Sequence, residues 1–369
     1  MKEWYRVKRM DKVEEHKTVK IKVLMVGPDR SVQGGISNVI NNWYKARLDK
    51  RVELRYIGTM VDGSKFAKLC KALQAYVLFA RYIKKYDVVH VNMATDASYY
   101  RKLYFIYMAK LFHKKVILHQ HGGDVQRFFM KSGSGKSRSK KYHNLNKADI
   151  LIVLAPIWKD FFSQVVSSKK IVVLPNGISI PDYRLETKNY QNHKIVYIGR
   201  ICKEKGIKEL FESVSDLRDK YKDIQLYLGG RWEDKTLQRY YETHKEWIVY
   251  LGWINDKQKQ TLLEECSIFV MPSYFEGQGI AVLEGMAYGC TPVASRVGGL
   301  QQTFIDGKDG LLVEPKNVKQ LTSALDSLLS DSTKKKRIGH AAYKKVHESF
   351  DLNIVTEQLV SIYALLAPK

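Results

Sequence analysis

Two carboxylates eight residues apart, Glu276 and Glu284, bracket a glycine-rich turn, Gly277-Gln278-Gly279, and an apolar run from Ile280 to Ala287. Glycine lets a backbone approach a ligand closely because no Cβ intervenes. A helix opening at about Gly279 presents N–H groups without intrahelical partners and the positive end of its dipole, which together suit a phosphate. The amides of Gly279 and Ile280 would make that contact. A carboxylate just ahead of such a helix can grip a sugar hydroxyl, and one on its second turn can accept both hydroxyls of a ribose. The combination points to a sugar nucleotide. Cations for its diphosphate stand upstream, where Gly199-Arg200 precedes Lys205-Gly206. Arginine offers a planar fork to two phosphate oxygens and lysine a point charge. In the first half, His121 ends an apolar run and leads into Gly122-Gly123-Asp124, a loop suited to a reacting centre, while Gly35 opens a helix after the first apolar run and offers its N–H to a phosphate or acceptor.

Such residues act only if something holds them. The pattern around them alternates short β-rich apolar runs with helical stretches, the mark of a parallel sheet wrapped by helices. The first half reads as strands at 20–27, 52–58, 86–92, 115–121, 148–154 and 170–175, and the second at 194–199, 224–230, 248–252, 267–273, 291–295 and 309–315. Six strands in each half make two Rossmann-like sheets. A chain of 369 residues is too long for one ordinary core and suits two domains. The expected division is an N-terminal extension at 1–18, a first domain at 19–178 and a second at 179–351. The hinge is expected near Pro175-Asn176-Gly177-Ile178 and the polar stretch after it, and a final amphipathic helix at 352–366. Ligands of open α/β sheets bind outside the carboxyl ends of the strands, and every motif named above follows a strand.

The motifs together resemble the retaining glycosyltransferases of family 4. E-x7-E after a strand and before G-C-T-P-V-A-S, at Glu276 and Glu284, is similar to that family's donor site; Gly199-Arg200 with Lys205-Gly206 resembles its diphosphate clamp. His121-Gly122 with Asp124 resembles its acceptor-side loop, and Gly34-Gly35 its first glycine loop. The resemblance covers about residues 20 to 366. It implies the GT-B fold, an α/β architecture of two Rossmann-like parallel-sheet domains facing a central cleft, with the C-terminal helix crossing back onto the first domain. It implies transfer of a hexose from a UDP- or GDP-linked donor with retention of configuration. The acceptor hydroxyl attacks from the front face and the leaving phosphate takes its proton, so that neither a cofactor, a metal nor a dedicated base is required. Candidate catalytic residues are Glu276, His121 and Asp124; Arg200, Lys205, Gly279, Ile280 and Gly35 would hold the diphosphate and Glu284 the ribose. Gln278 stands where the family has an aromatic residue and Gln302 where it often has a glutamate, departures that bear on the identity of sugar and base.

Plainer readings exist for each residue. Glu276 can cap the helix that follows, Glu284 can be a solvated helix residue, Arg200 and Lys205 can be surface cations, and Asp124 can cap a loop. His90 and His119, on apolar strands, read as core histidines. SGSGKS at 132–137 mimics a phosphate loop, but Met130 replaces the required first glycine, and the stretch reads as a basic loop. No D-x-D occurs, which argues against a metal-dependent transferase. Four scattered cysteines with no C-x-x-C give neither a zinc site nor a disulfide framework and read as buried thiols.

Charge is the strongest compositional fact. The net is +24, and residues 1–175 carry 35 Lys and Arg against 13 Asp and Glu, whereas the remainder carries 27 against 25. The first half therefore expects an anionic partner. Two helices expected there, 65–86 and 98–115, combine aliphatic and aromatic stripes with cations, a pattern that can lie on an anionic membrane while most apolar positions pack on the sheet. No apolar run approaches the ~20 residues of a membrane span, and the charged N-terminus is unlike a signal peptide. The expectation is a cytoplasmic enzyme held peripherally at the inner face of the cell membrane. It would act on a lipid-linked saccharide of capsule, exopolysaccharide or lipopolysaccharide assembly. Two alternatives stay open: a GT-B enzyme of another class, such as a nucleotide-sugar epimerase or a phosphorylase, and a nucleic-acid-binding protein. The last rests on charge alone, without any recognised module, so nucleic acid is not expected as a partner.

Overall fold

Alternating β-branched runs and helices build two parallel sheets, each wound by helices. The computed structural model describes residues 20–130 and 135–367. The expected extension at 1–18 and the first part of the SGSGKS stretch lie outside the described residues; from Gly135 that stretch is helix rather than loop, part of Gly135–Asn146. The chain divides into Met1–Ser179 with Leu352–Lys369, and Ile180–Asp351.

In the first domain the strands are β1 Lys22–Gly27, β2 Glu53–Gly58, β3 Val88–Met93, β4 Lys115–Gln120, β5 Ile150–Val153 and β6 Ile171–Val173, in the order β2-β1-β3-β4-β5-β6. In the second they are β7 Lys194–Ile198, β8 Gln225–Gly229, β9 Ile248–Tyr250, β10 Ile268–Met271, β11 Thr291–Ser295 and β12 Leu311–Val313, in the order β12-β11-β10-β7-β8-β9. All neighbours pair in parallel. Every residue of β3, β10 and β11 is buried, as strands covered by helices on both faces require. All twelve strands read from the sequence are present, several shortened at their ends.

The order of each sheet reverses once, between β1 and β3 and between β7 and β10. Crossovers leave in opposite directions at such a switch point, opening a crevice beyond the carboxyl ends of the two strands. The candidate residues follow strands at or beside these points.

The C-terminal helix Leu352–Ala364 returns to the first domain. Leu352 N–H donates to the Ile178 carbonyl at 2.9 Å, Tyr363 is fully buried against His90, and a Cβ on Gly177 would stand 2.8 Å from Leu352 Cα. The stretch after Gly177 is anchored in the second domain, where the buried Tyr190 hydroxyl donates to the Gly289 carbonyl at 2.7 Å.

Two departures from expectation concern the first-domain helices. The second spans Asp96–Leu111 rather than 98–115, because Lys114 N–H reaches back to the Ala109 carbonyl and His113 adopts positive φ, closing the helix before β4. The first, Lys65–Tyr82 with a 3-10 turn Ile83–Lys85, leaves Phe66, Leu69, Leu73 and Val77 exposed instead of packed on the sheet. Cys70 on that helix is exposed as well, while Cys202, Cys266 and Cys290 are buried.

Candidate functional site

Three loops converge at the second-domain switch point. After β7 the chain passes Arg200 and a 3-10 turn, Lys203–Lys205, before the Ile207–Leu217 helix; after β10 it passes Glu276 before the Ile280–Ala287 helix; after β8 it reaches Glu233. Backbone contacts lock the first two together: Tyr274 N–H donates to the Glu204 carbonyl at 2.9 Å, and Gly206 lies against Pro272. Gly206 has φ +68°, and a Cβ there would sit 2.0 Å from the Pro272 carbonyl oxygen. Gly206→Ala is therefore expected to cost stability by about 1–3 kcal/mol and to displace Lys205 and Glu276 together. Urea unfolding beside a nucleotide-binding assay checks this, and wild-type stability in the variant would contradict it.

The side chains of Lys205 and Glu276 form an ion pair, only 16% and 15% exposed, and Ser273 Oγ donates to the same Glu276 oxygen at 3.1 Å. Glu276 thus does not cap the following helix. Its N-cap is Gly279, at φ +82° and without a side-chain cap, and Val282 is the first residue whose N–H returns to the Gly279 carbonyl, at 3.1 Å. That open N-terminus is where an anion's oxygens gain most. Gly299 N–H holds the loop from behind through the Glu276 carbonyl at 3.2 Å, and the buried Gln278 is held through its own carbonyl by Thr303 Oγ1 at 3.0 Å.

Arg200 pairs with Glu233 at 2.8 Å. Burial works against its charge, but the Glu233 carboxylate prevails and holds the guanidinium above its ordinary range. Glu284, on the second turn of the Ile280–Ala287 helix, accepts from Lys259 Nζ at 2.6 Å. Lys259 is presented by the Asp256–Glu265 helix, whose start is fixed by a reciprocal box between Asn255 and Gln258. Burial again opposes the lysine's charge and Glu284 outweighs it, raising its pKa. Glu233, Ser273 and Lys259 escape a reading by motif. The signal for Glu233 is its place just beyond β8, and the Asn255-x-x-Gln258 box announces Lys259's helix, though not which face meets Glu284.

The first domain gathers a different set. Gly35 begins the Gly35–Lys45 helix after β1, and a Cβ there would meet nothing within 4 Å. Asp124 precedes the short Val125–Met130 helix, its carboxylate 3.5 Å from Arg127. His121, just past β4, lies on a column of rings: its centroid is 4.1 Å from His119, which is 5.4 Å from His90, with Trp43 packed alongside at 5.5–6.4 Å. His90 Nδ1 meets the Tyr363 hydroxyl at 2.6 Å and its Nε2 meets His119 Nδ1 at 3.3 Å, so these two are core histidines as expected.

Asn92, at the end of β3, fixes the chemistry of His121. Its Nδ2 donates to the Val26 carbonyl at 3.2 Å, leaving Oδ1 to accept from His121 Nε2–H at 2.9 Å. In a neutral ring the other nitrogen is then an acceptor. That Nδ1 has no hydrogen-bond partner among the described residues. Burial pushes the pKa of His121 down to about 3, so the ring stays neutral and can accept a hydrogen bond from a hydroxyl but not act as a cation.

Comparisons with known proteins address the same two domains. The second matches the family model described as glycosyl transferases group 1 over residues 183–345, and the first matches that described as glycosyltransferase family 4 over 38–180. The chain is 31% identical over 205 residues to the N,N'-diacetylbacillosaminyl-diphospho-undecaprenol alpha-1,3-N-acetylgalactosaminyltransferase of Campylobacter jejuni, covering 56% of this chain and 51% of that protein. It is 27% identical over 218 residues to the capsular polysaccharide biosynthesis glycosyltransferase CapM of Staphylococcus aureus, covering 54% and 57%. The chain thus spans little more than half the length of these relatives. Anabaena HepE, solved in complex with UDP-glucose, superposes with a TM-score of 0.74 at 16% identity over 94% of this chain and all of that one.

Proposed function

Since the chain belongs to the glycosyltransferases of family 4 and group 1 and has their GT-B fold, we propose that it transfers a hexose from a UDP- or GDP-linked donor to a hydroxyl of a lipid-linked saccharide, with retention of configuration. The observation that carries the reading is the gathering of Arg200, Lys205 and Glu276 at the second-domain switch point, beside the open N-terminus of the Ile280–Ala287 helix. Two similar proteins support its finer parts, one solved with UDP-glucose and the other named for a diphospho-undecaprenol acceptor.

In this mechanism the bond from anomeric carbon to phosphate oxygen breaks as a bond to the acceptor oxygen forms. The acceptor's proton passes to the leaving phosphate. Negative charge grows on the diphosphate, where Arg200 and Lys205, turned from Glu233 and Glu276, and the amides of Gly279 and Ile280 stabilise it. Those donors supply the stabilisation without a metal. Glu276 holds hydroxyls of the transferred sugar, Glu284 holds the ribose, and His121 Nδ1 accepts a hydrogen bond from a hydroxyl of sugar or acceptor. Asp124 is assigned to the acceptor side and Gly35 to a phosphate contact.

A thermal-shift panel of UDP, GDP, ADP and their sugars, run in chelator, tests this. A ligand that binds only the folded state stabilises it by about 2.7 kcal/mol at a hundred times its Kd. The expected outcome is a rise with one base only. No rise with any nucleotide would remove the donor site, and a rise that needs added magnesium would remove the metal-free step.

A further inference from the structure

Among the described residues, the Lys65–Tyr82 helix carries an exposed apolar stripe on the side away from the core. Ala72, Ala75 and Phe79 face the core, while Phe66, Leu69, Leu73 and Val77, spaced three or four apart, line the opposite side, Phe66 being 76% exposed and Val77 69%. A helix that carries a second apolar stripe on its outward side ordinarily meets protein or lipid there. Its neighbour behaves alike. The Asp96–Leu111 helix packs beside it through Tyr76 and Tyr104, whose ring centroids are 4.3 Å apart, and turns its own Tyr107 and Leu111 outward. Both helices buttress one side of the first sheet, so the exposed stripes look the same way.

Charge says what covers this face. From Lys65 to Lys85 there are six cations and no acidic residue. Lys71 is paired with Asp29, leaving Lys65, Lys68, Arg81, Lys84 and Lys85 exposed around the stripe. Lys114 extends the cluster by donating to the Lys84 carbonyl at 3.2 Å. Apolar side chains rimmed by cations, with tyrosines among them, match the boundary between acyl chains and anionic headgroups. A second copy of the chain would bring the same cations against these and be repelled.

We propose that the outward face of these two helices docks the first domain on an anionic lipid bilayer, with Phe66, Leu69, Leu73 and Val77 entering the headgroup boundary. This stands on the surface alone and not on the transfer reading. The site lies outside the nucleotide-binding residues, so docking and donor binding fail separately.

Co-sedimentation with vesicles of phosphatidylglycerol and phosphatidylcholine, against phosphatidylcholine alone, decides it. The intact chain is expected to favour the anionic vesicles by at least tenfold. Lys84→Gln with Lys85→Gln should weaken that binding about 25-fold, near fivefold per cation. Leu73→Gln with Val77→Gln should weaken it at least tenfold, with a far-UV circular dichroism spectrum and melting temperature like the wild type's as evidence of folding. Equal binding to both vesicle types, binding indifferent to Leu73 and Val77, or absence of binding would overturn the proposal. So would a dimer in light scattering that the Leu73 and Val77 changes dissolve, since the face would then belong to a second copy.

Discussion

Replacing Arg200 with alanine is expected to lower kcat/KM for sugar transfer by roughly 10²–10³-fold while leaving the fold intact. The two halves of this outcome have different causes. Arg200 is a little over half exposed and its pair with Glu233 sits at the surface, where ion pairs contribute about 0–1 kcal/mol. Stability therefore barely registers the change. Transfer should register it strongly, because in the proposed mechanism the guanidinium stabilises the further negative charge that grows on the diphosphate as the glycosyl–phosphate bond breaks. Arg200→Lys keeps the charge and loses the fork, and should recover only part of the rate. Steady-state kinetics beside a melting curve reads both; an alanine variant with near wild-type turnover would dissolve the assignment. Glu284→Ala, by contrast, should act through donor binding, raising KM.

Acid is expected to unfold the first domain before carboxylate chemistry alone would. His90 is fully buried and burial holds its pKa down to about 3, against 6.5 in a solvated ring. Above pH 6.5 neither folded nor unfolded chain protonates it, and its contribution to stability is complete. Between 6.5 and 3 the unfolded chain takes up a proton that the folded one refuses, so stability falls as pH falls. Two units below 6.5, at about pH 4.5, His90 alone accounts for a loss of about 2.7 kcal/mol. His121 and His119 are displaced in the same direction and share the column, so the loss grows with them. Urea midpoints at pH 7 and 4.5 measure the total, and imidazole proton resonances that stay fixed across that range in the folded protein assign it to these rings. A midpoint indifferent to pH would refute the buried-neutral description.

The architecture was legible because parallel strands buried on both faces are nearly pure runs of Val, Ile and Leu. VVHV within β3 and IFV within β10 have no other comfortable state. The glycines and the spacing from Glu276 to Glu284 were legible too, since each answers to local geometry. Partners across the sheet were not. Glu233 meets Arg200 only because β8 lies beside β7, and Lys259 meets Glu284 only because the Asp256–Glu265 helix packs there, facts that no periodicity carries. The exposed stripe on Lys65–Tyr82 was misjudged for a related reason. Hydrophobic spacing of three and four identifies a face but not what it looks upon, and this helix has two such faces.

In the proposed donor site the Lys205–Glu276 pair neutralises itself. In the proposed site an arriving anion competes with Glu276 for Lys205, so inorganic phosphate or diphosphate alone would gain the cation at the expense of a largely buried carboxylate. A molecule bearing both a diphosphate and sugar hydroxyls exchanges with both partners at once and strands neither. In the proposed mechanism the same exchange would run backwards once the sugar has left, with Glu276 reclaiming Lys205 and favouring loss of the spent nucleotide. Discrimination at entry and release at exit would then come from one contact between two residues.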